Sequence, residues 1–318
     1  ECIPAEKPQI EGDFDMEKVH TPKAHTIEEL VEFLGMESYN FAKMIIYKAD
    51  DKYVAAMVRG DREVNEVKLK NLVGCIDDLE LAAATLAEFT GMPEWTKKAN
   101  YWGDLEPVTP WMEVGRRGEY HHYQWYPFIN LGHFLQAKST NEKIAKKYQG
   151  FMKLGLDILK KNAENDPFMH GVPYLWCSNN LTSAAVSYAR LYNIASGDSS
   201  FVEMEMALRD WLLGCNPWGT TMIVGYPSIA DYPLYPHSSY LTEWNDITYG
   251  GLIDGPIQRD LFEERAGESL TRPDDLAVFN EGEAVYHDDY GDYSSNEPTM
   301  DGTAGLTYYF SAMEEMGK

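Results

Sequence analysis

The segment Val285–Leu306 contains the side chains best suited to acid–base chemistry. Its sequence, VYHDDYGDYSSNEPTMDGTAGL, places five acids within 14 positions, with tyrosines between them. Residues 271–301 hold nine acids and a single base, Arg272. Carboxylates crowded in this way repel one another, which raises some of their pKa values, and a general acid needs a raised pKa to work near neutral pH. The chemistry that fits is glycoside hydrolysis, in which one carboxyl protonates the leaving oxygen and another activates water or attacks.

Two other interpretations of this acidic segment stay open. Several oxygen ligands also suit a structural calcium ion, although the segment lacks the spacing and the glycine of an EF-hand loop. An acidic surface loop is the second alternative, although a solvated face usually mixes in Lys or Arg. The four cysteines have no zinc-type spacing. We therefore predict no cofactor, with calcium as the one alternative left open.

The composition restricts the partners. The 318 residues include 51 acidic and 27 basic ones, giving a net charge of −24. This charge opposes binding to nucleic acid or to an anionic membrane, and no apolar run approaches the roughly 20 residues that cross a bilayer. Aromatic residues are abundant, with 21 Tyr, 12 Phe and 8 Trp. Since aromatic rings stack on the apolar faces of sugars, we expect a carbohydrate partner, with no nucleic acid and no membrane.

The elements that must position these acids change in character near residue 75. Before it, Thr26 and Glu29 form a predicted capping box that opens a helix through Leu34. Two strands are expected at 43–48 and 53–58, joined by a turn at Asp50-Asp51, and Asp61 is expected to cap a further helix. This pattern predicts a small α/β unit.

After residue 75 the apolar periodicity is helical. We expect helices over 77–91, 144–158, 181–197, 201–212 and 306–313. Long loops are expected at 102–130 and 214–300, and loops of this length in a compact domain are usually functional. The pattern predicts antiparallel helix pairs whose loops gather at one end.

The acidic segment also carries a family resemblance. The pattern Tyr286-x-Asp288-x4-Tyr293-x3-Glu297-x-Thr299 resembles the C-terminal signature of glycoside hydrolase family nine, the inverting endoglucanases and related β-glucan hydrolases. Further matches stand in the expected order: 77–91, Trp125–His133, Trp176–Asn180, Leu212–Pro217, Pro236–His237 and Gly250–Pro256. The resemblance covers about residues 75–318 and implies a mainly α fold containing part of an (α/α)6 barrel.

The resemblance assigns roles to individual residues. Glu297 matches the family's general acid, and Asp288 matches the other acidic position of the signature. His237 matches a histidine that contacts the sugar. The other predicted sugar contacts are Tyr293, Trp125, Trp176 and Trp218, with core packing an equal alternative for the three tryptophans. The implied activity is cellulase-like, cleaving β-1,4-glucosidic bonds of a β-glucan or cello-oligosaccharide with inversion, outside the cell or in the periplasm.

One departure from the family pattern bears on activity. The family's catalytic base lies in an Asp-rich motif of the form DAGD or DASD, which is absent from residues 1–130. An inverting enzyme needs two carboxyls roughly 6.5–9.5 Å apart with a water between them. The alternative to a hydrolase is therefore a catalytically impaired carbohydrate-binding remnant. Residues 75–318 are also too few for twelve barrel helices, so we expect them to be the C-terminal part of such a barrel.

The first part of the chain resembles a different family. The segment His25–Gly35, Lys43 and the run Val58–Asn71 are similar to the editing insertion domain of bacterial prolyl-tRNA synthetase. Lys43 matches a lysine of the editing pocket, with an exposed strand-end lysine as the alternative. The predicted domains are thus a partial editing-domain-like α/β unit at 1–74 and a hydrolase-like unit at 75–318, in a chimeric chain. A tRNA-editing fragment is the further alternative for function.

Overall fold

The computed structural model describes residues 19–21, 26–49, 52–61, 76–115, 128–241, 248–264 and 270–317. The chain separates into two compact units, Glu1–Lys70 and Asn71–Lys318. The predicted domain boundary at 74/75 stays a prediction. The turn at Asp50-Asp51, the helix predicted after Asp61 and the predicted sugar contact Trp125 lie outside the described residues.

The described residues of the first unit include an α-helix and two paired strands. Helix α1 (Ile27–Leu34) begins at the predicted capping box, where Glu29 N donates to Thr26 Oγ1 at 3.2 Å and Thr26 N donates to Glu29 Oε2 at 3.0 Å. It ends at Gly35, whose φ of 64° favours glycine. Strands β1 (Ala42–Ala49) and β2 (Lys52–Arg59) pair antiparallel. The predicted helix and strands of this unit are confirmed.

The second unit is mainly helical. Its helices are α2 (Ile76–Thr90), α3 (Pro93–Leu105), α4 (Pro110–Glu113), α5 (Leu131–Ala137), α6 (Glu142–Asn162), α7 (Ser178–Ser196), α8 (Val202–Leu212), α9 (His237–Leu241), α10 (Arg259–Glu264) and α11 (Met300–Met316). Its short strands are β3 (Leu252–Ile253), β4 (Ile257–Gln258), β5 (Ala284–Val285) and β6 (Pro298–Thr299). Strand β3 pairs with β6 and β4 with β5, both antiparallel. No helix among the described residues is both long and apolar enough to cross a membrane.

The five helices predicted from periodicity are confirmed as α2, α6, α7, α8 and α11. The loop predicted at 102–130 was wrong at its start, because α3 extends to Leu105 and α4 follows at Pro110. The buried positions of α3 are Ala99 and Gly103. Residues this small give almost no apolar periodicity, so the helix was not visible as a hydrophobic stripe.

Helix α7 lies at the centre of the second unit. It packs against α8 and α11, and also contacts α5 and α6. Leu181, Ala185 and Val186 are fully buried. Its first turn is polar but also buried, with Ser178 and Asn179 inaccessible to solvent. Buried polar side chains need hydrogen-bond partners, and Ser178 and Asn179 donate to the carbonyls of Pro256 and Ile253.

A buried polar cluster joins α2 to α5. Glu80 and His133 are fully buried, with His133 Nδ1 2.7 Å from Glu80 Oε2 and His133 Nε2 3.3 Å from the Pro107 carbonyl oxygen. Gln136 Nε2 also donates to Glu80. A Cβ at Gly132 would lie 2.8 Å from Glu80 Cγ, so only glycine lets α5 approach this carboxylate. Because these buried polar atoms need their hydrogen-bond partners, the cluster fixes the position of α2 relative to α5.

Candidate active site

The first turn of α7 holds the β3–β6 ladder, and Glu297 comes directly before β6. Asn179 Nδ2 donates to the Ile253 carbonyl at 2.9 Å, which anchors β3. Thr299 Oγ1 donates to Asn180 Oδ1 at 2.8 Å, which anchors β6. Both strands are thus fixed to the most buried helix of the unit.

The ladder places two carboxyl side chains opposite each other. Ile253 pairs with Pro298, and one step further Asp254 N donates to the Glu297 carbonyl at 2.8 Å. Residues directly opposite in an antiparallel pair point to the same face. Glu297 is half-buried, whereas Asp254 is only 1% exposed.

An aromatic band contacts Asp254 and Asn296, the residues paired with and adjacent to Glu297. We use this name for five half-buried residues: Trp176, Tyr293, His237, Tyr290 and Tyr235. The Tyr293 ring is 5.7 Å from Trp176 and 6.0 Å from His237. Tyr290 and Tyr235 continue the band at 5.3 Å. The structure therefore brings together four predicted site residues: Glu297, His237, Tyr293 and Trp176.

His237 is oriented by the acidic segment. Its backbone N donates to the Asn296 carbonyl at 3.0 Å, and its Nδ1 is 2.6 Å from the Tyr290 carbonyl oxygen. A carbonyl oxygen only accepts, so Nδ1 carries the proton and Nε2 is the acceptor of the neutral ring. This leaves Nε2 able to accept from a hydroxyl group.

Asp288 is held by backbone amides. Its oxygens accept from Leu234 N and Tyr235 N, both at 2.8 Å, and from Asn296 Nδ2 at 3.3 Å. Burial raises the pKa of Asp288 above its ordinary value, although these donors act in the opposite direction. Asp288 also lines a cavity of about 430 Å³, together with Tyr235 and Arg272. In this position it fixes the segment that precedes His237.

Two other acids of the segment are used within the loops. Asp289 accepts from Thr271 N and Arg272 N and is 2% exposed. Asp292 is fully buried and accepts five hydrogen bonds, from His287 Nδ1 and from the backbone and hydroxyl groups of Ser294 and Ser295.

The pKa shifts of the segment depart from the expected effect of crowding. Burial would raise the pKa of Asp292, but its donors from His287, Ser295 and Ser294 outweigh burial and hold this pKa below its ordinary value. Burial, rather than repulsion, is the main cause of the raised pKa of Asp288. The close spacing of acidic residues along the chain is thus a poor guide to the charge of each one.

Replacing Asp292 by asparagine should destabilise the second unit by about 1.5–3 kcal/mol near pH 7, since hydrogen bonds to a charged group are lost. The folded-state pKa of Asp292 is below its unfolded value, so its contribution is present above about pH 4 and is lost as pH falls through the folded pKa. Urea midpoints between pH 2 and 7 measure this. The difference in urea midpoint between wild type and Asp292→Asn should disappear in acid. The exposed control Asp231→Asn should have the wild-type midpoint at every pH. A difference that is constant with pH would contradict the prediction.

The remaining predicted site residues lie elsewhere. Trp218 is 5% exposed, its Nε1 donates to Asn280 Oδ1 at 2.7 Å, and its ring packs between Trp211 and Tyr286. The structure therefore supports core packing for Trp218, the alternative to sugar stacking. Lys43 lies half-buried in β1, in the first unit.

Two residues of the site were missed from sequence. Asp254 lies in the Gly250–Pro256 motif, and an acid directly after the apolar pair Leu252-Ile253 was the available signal. Asn296 donates to both the Tyr235 carbonyl and Asp288. Only its position next to Glu297 could have indicated this role.

Metal binding by the acidic segment finds no support in the described part of the chain. No group of three or more His, Cys, Asp or Glu side chains is arranged there to hold a metal ion. The calcium alternative stays a prediction.

The paired helices, the central α7 and the acidic loop define the second unit as part of an (α/α)6 barrel of the glycoside hydrolase type. The model of the family described as Glycosyl hydrolase family 9 matches residues 36–310, and the chain belongs to this family. The predicted family is confirmed. The match begins well before residue 75, where the predicted resemblance started.

Solved structures support the fold. A single-mutant thermostable endoglucanase from Alicyclobacillus acidocaldarius is 20% identical with a TM-score of 0.57, covering 74% of this chain and 42% of that chain. AaCel9A in complex with cellobiose-like isofagomine is 18% identical with a TM-score of 0.56, covering 76% and 43%. This chain thus spans less than half the length of either structure.

A second similarity covers about a quarter of the chain. Over 84 residues it is 56% identical to the proline–tRNA ligase of Caldicellulosiruptor bescii, which is 26% of this chain and 14% of that ligase. The two similarities are consistent with the predicted chimera.

Proposed function

We propose that this chain hydrolyses β-1,4-glucosidic bonds of a β-glucan or cello-oligosaccharide, with Glu297 as the proton donor. The observation that carries the proposal is the half-buried Glu297, whose neighbours Asp254 and Asn296 are hydrogen-bonded to Trp176 and His237 of the aromatic band. Aromatic rings stack on the apolar faces of sugars, and a carboxyl next to them can reach a glycosidic oxygen. As in most members of its family, we propose that it acts outside the cell or in the periplasm.

In the proposed reaction, protonated Glu297 donates to the glycosidic oxygen as the bond to the anomeric carbon breaks. The leaving sugar takes the proton as a hydroxyl, and water adds to the opposite face of the anomeric carbon with inversion, losing one proton to a base or to solvent. His237 Nε2 accepts from a sugar hydroxyl, because its Nδ1 is committed to the Tyr290 carbonyl. Asp288 holds the segment before His237, so it acts by positioning in this scheme.

The base that activates the water is the part of the reaction without an assigned residue. The family's Asp-rich motif is absent from residues 1–130. Asp254 does not fill this role, because a side chain that is 1% exposed leaves no room for a water in line with the bond. Binding of sugar without turnover is therefore the competing outcome.

The test measures turnover and binding on the same preparation. The full chain is incubated with cello-oligosaccharides and mixed-linkage glucan, product anomers are followed by NMR, and affinity for cello-oligosaccharides is measured by calorimetry. We expect products of inverted configuration and loss of turnover in Glu297→Gln. Binding without products would favour the carbohydrate-binding alternative, and neither binding nor products would overturn both.

A second candidate function rests on the 84-residue similarity to a proline–tRNA ligase. It is hydrolysis of mischarged alanyl-tRNA by the first unit, with Lys43 in the editing pocket. The net charge of −24 opposes tRNA binding. Deacylation of Ala-tRNAPro by the full chain, lost in Lys43→Ala, would support it, and absence of deacylation would remove it.

A further inference from the structure

Asp254 and Glu297 lie opposite each other one step beyond the end of the β3–β6 ladder. The hydrogen bond from Asp254 N to the Glu297 carbonyl, at 2.8 Å, shows that the two residues are directly opposite. Cβ atoms of such pairs are about 4.5–5.5 Å apart, and like charges at this distance destabilise a ladder. The fold therefore needs a way to avoid two adjacent negative charges.

The surroundings of Asp254 differ from those of the other buried acids. Its Oδ2 accepts from Trp176 Nε1 at 3.0 Å. Its Oδ1 is buried and has no hydrogen-bond partner among the described residues. Asp292, by comparison, has five donors. A fully desolvated carboxylate with one oxygen left without a donor costs much more free energy than the neutral acid does.

The negative charges around Asp254 add to this preference, whereas the hydrogen bond from Cys177 opposes it. Cys177, at the start of α7, hydrogen-bonds to it through a thiol whose pKa burial raises far above its ordinary value. Glu297 and Asp292 face it from the acidic segment, and Asp301 acts on Cys177 from α11. None of these described neighbours is a cation. Burial first, and then the charges of Glu297 and Asp292, raise the pKa of Asp254 well above its ordinary value.

We propose that Asp254 is a positioning residue that keeps its proton at neutral pH, so that the Asp254–Glu297 pair carries at most one negative charge and Trp176 stays fixed beside Glu297. The role of Trp176 next to Glu297 rests on the proposed function, whereas the protonation of Asp254 does not. The neutral acid keeps Oδ2 as the acceptor for the Trp176 indole.

The proposal predicts a pH dependence of folding. In the unfolded chain Asp254 ionises near pH 4, whereas in the folded chain it stays protonated to a much higher pH. The folded state then binds one more proton than the unfolded state between these values. Asp254 therefore makes the equilibrium constant for unfolding rise about tenfold per pH unit from about pH 4 up to its folded-state pKa. Above that pKa the constant no longer changes with pH through this group.

The test compares wild type with Asp254→Asn, which offers Trp176 an acceptor but does not titrate. Unfolding of the full chain in urea is followed by tryptophan fluorescence from pH 5 to 8, and all tryptophans lie at 95–244, in the second unit. We expect the ratio of the two unfolding constants to change by about tenfold per pH unit between pH 5 and 7. The control Asp260→Asn, at an exposed acid of α10, should keep a constant ratio. A constant ratio for Asp254→Asn would overturn the proposal.

A second measurement tests the proposal even if Asp254→Asn fails to fold. Infrared spectra at pH 7 detect a protonated carboxyl through its C=O stretch. Asp288 and Glu205 also have raised pKa values, mainly through burial. The double variant Asp288→Asn, Glu205→Gln should keep a protonated-carboxyl band that disappears on unfolding. Absence of that band would overturn the proposal. Neither measurement depends on turnover, so both can be carried out on an inactive chain. A negative result in them would not contradict the proposed hydrolase activity, which is tested separately.

Discussion

Replacing Glu297 by glutamine is expected to slow hydrolysis of an unactivated cello-oligosaccharide by about 10²–10⁴-fold, the usual contribution of a general acid. Glutamine has the same shape but no proton acidic enough for the leaving oxygen. The backbone contact to Asp254 is unaffected, because it uses the Glu297 carbonyl. Urea midpoints should therefore be close to wild type.

The leaving group separates acid catalysis from a structural effect. An aryl cellobioside that releases a stable phenolate needs little protonation, so Glu297→Gln should cost much less on this substrate. The exposed control Glu281→Gln, in the same acidic region, should match wild type on both substrates. Equal losses on the two substrates would indicate a distorted site, and unchanged rates would remove Glu297 from the mechanism.

Replacing Glu80 by alanine is expected to destabilise the second unit by about 3–5 kcal/mol, since a buried carboxyl that bonds to both His133 and Gln136 is removed. His133 and Gln136 lose their acceptor in a site that is closed to water. Domains of this kind have about 5–15 kcal/mol of stability in total, so the loss is a large fraction.

Urea unfolding followed by tryptophan fluorescence measures this loss. Glu88→Ala is the matched control, because Glu88 is an exposed glutamate on the same helix, α2. Its midpoint should shift by no more than about 0.5 kcal/mol in free energy. Similar shifts for both variants would show that the buried cluster contributes no more than a surface residue.

The sequence was informative where the evidence is local. The capping box of Thr26 and Glu29 involves residues three apart, and the stripe along α6 repeats every three to four residues, so both were confirmed. The family signature is also local, which is why the residue types and spacing of short segments were enough to identify the family. Helix α3 was missed because its buried face, Ala99 and Gly103, carries no bulky apolar side chain.

The sequence alone thus determined the class of fold, the family and the acidic segment that bears Glu297. The tertiary structure decided which acids of that segment are free for chemistry. Asp288 and Asp292 are occupied by donors, some of them more than 50 residues away, as for Tyr235 N and Asp288. Asp254 faces Glu297 across 43 residues of chain only because β3 and β6 pair in one register. The charge of a carboxyl depends on its burial and its donors, and those are set by contacts between segments that no local pattern encodes.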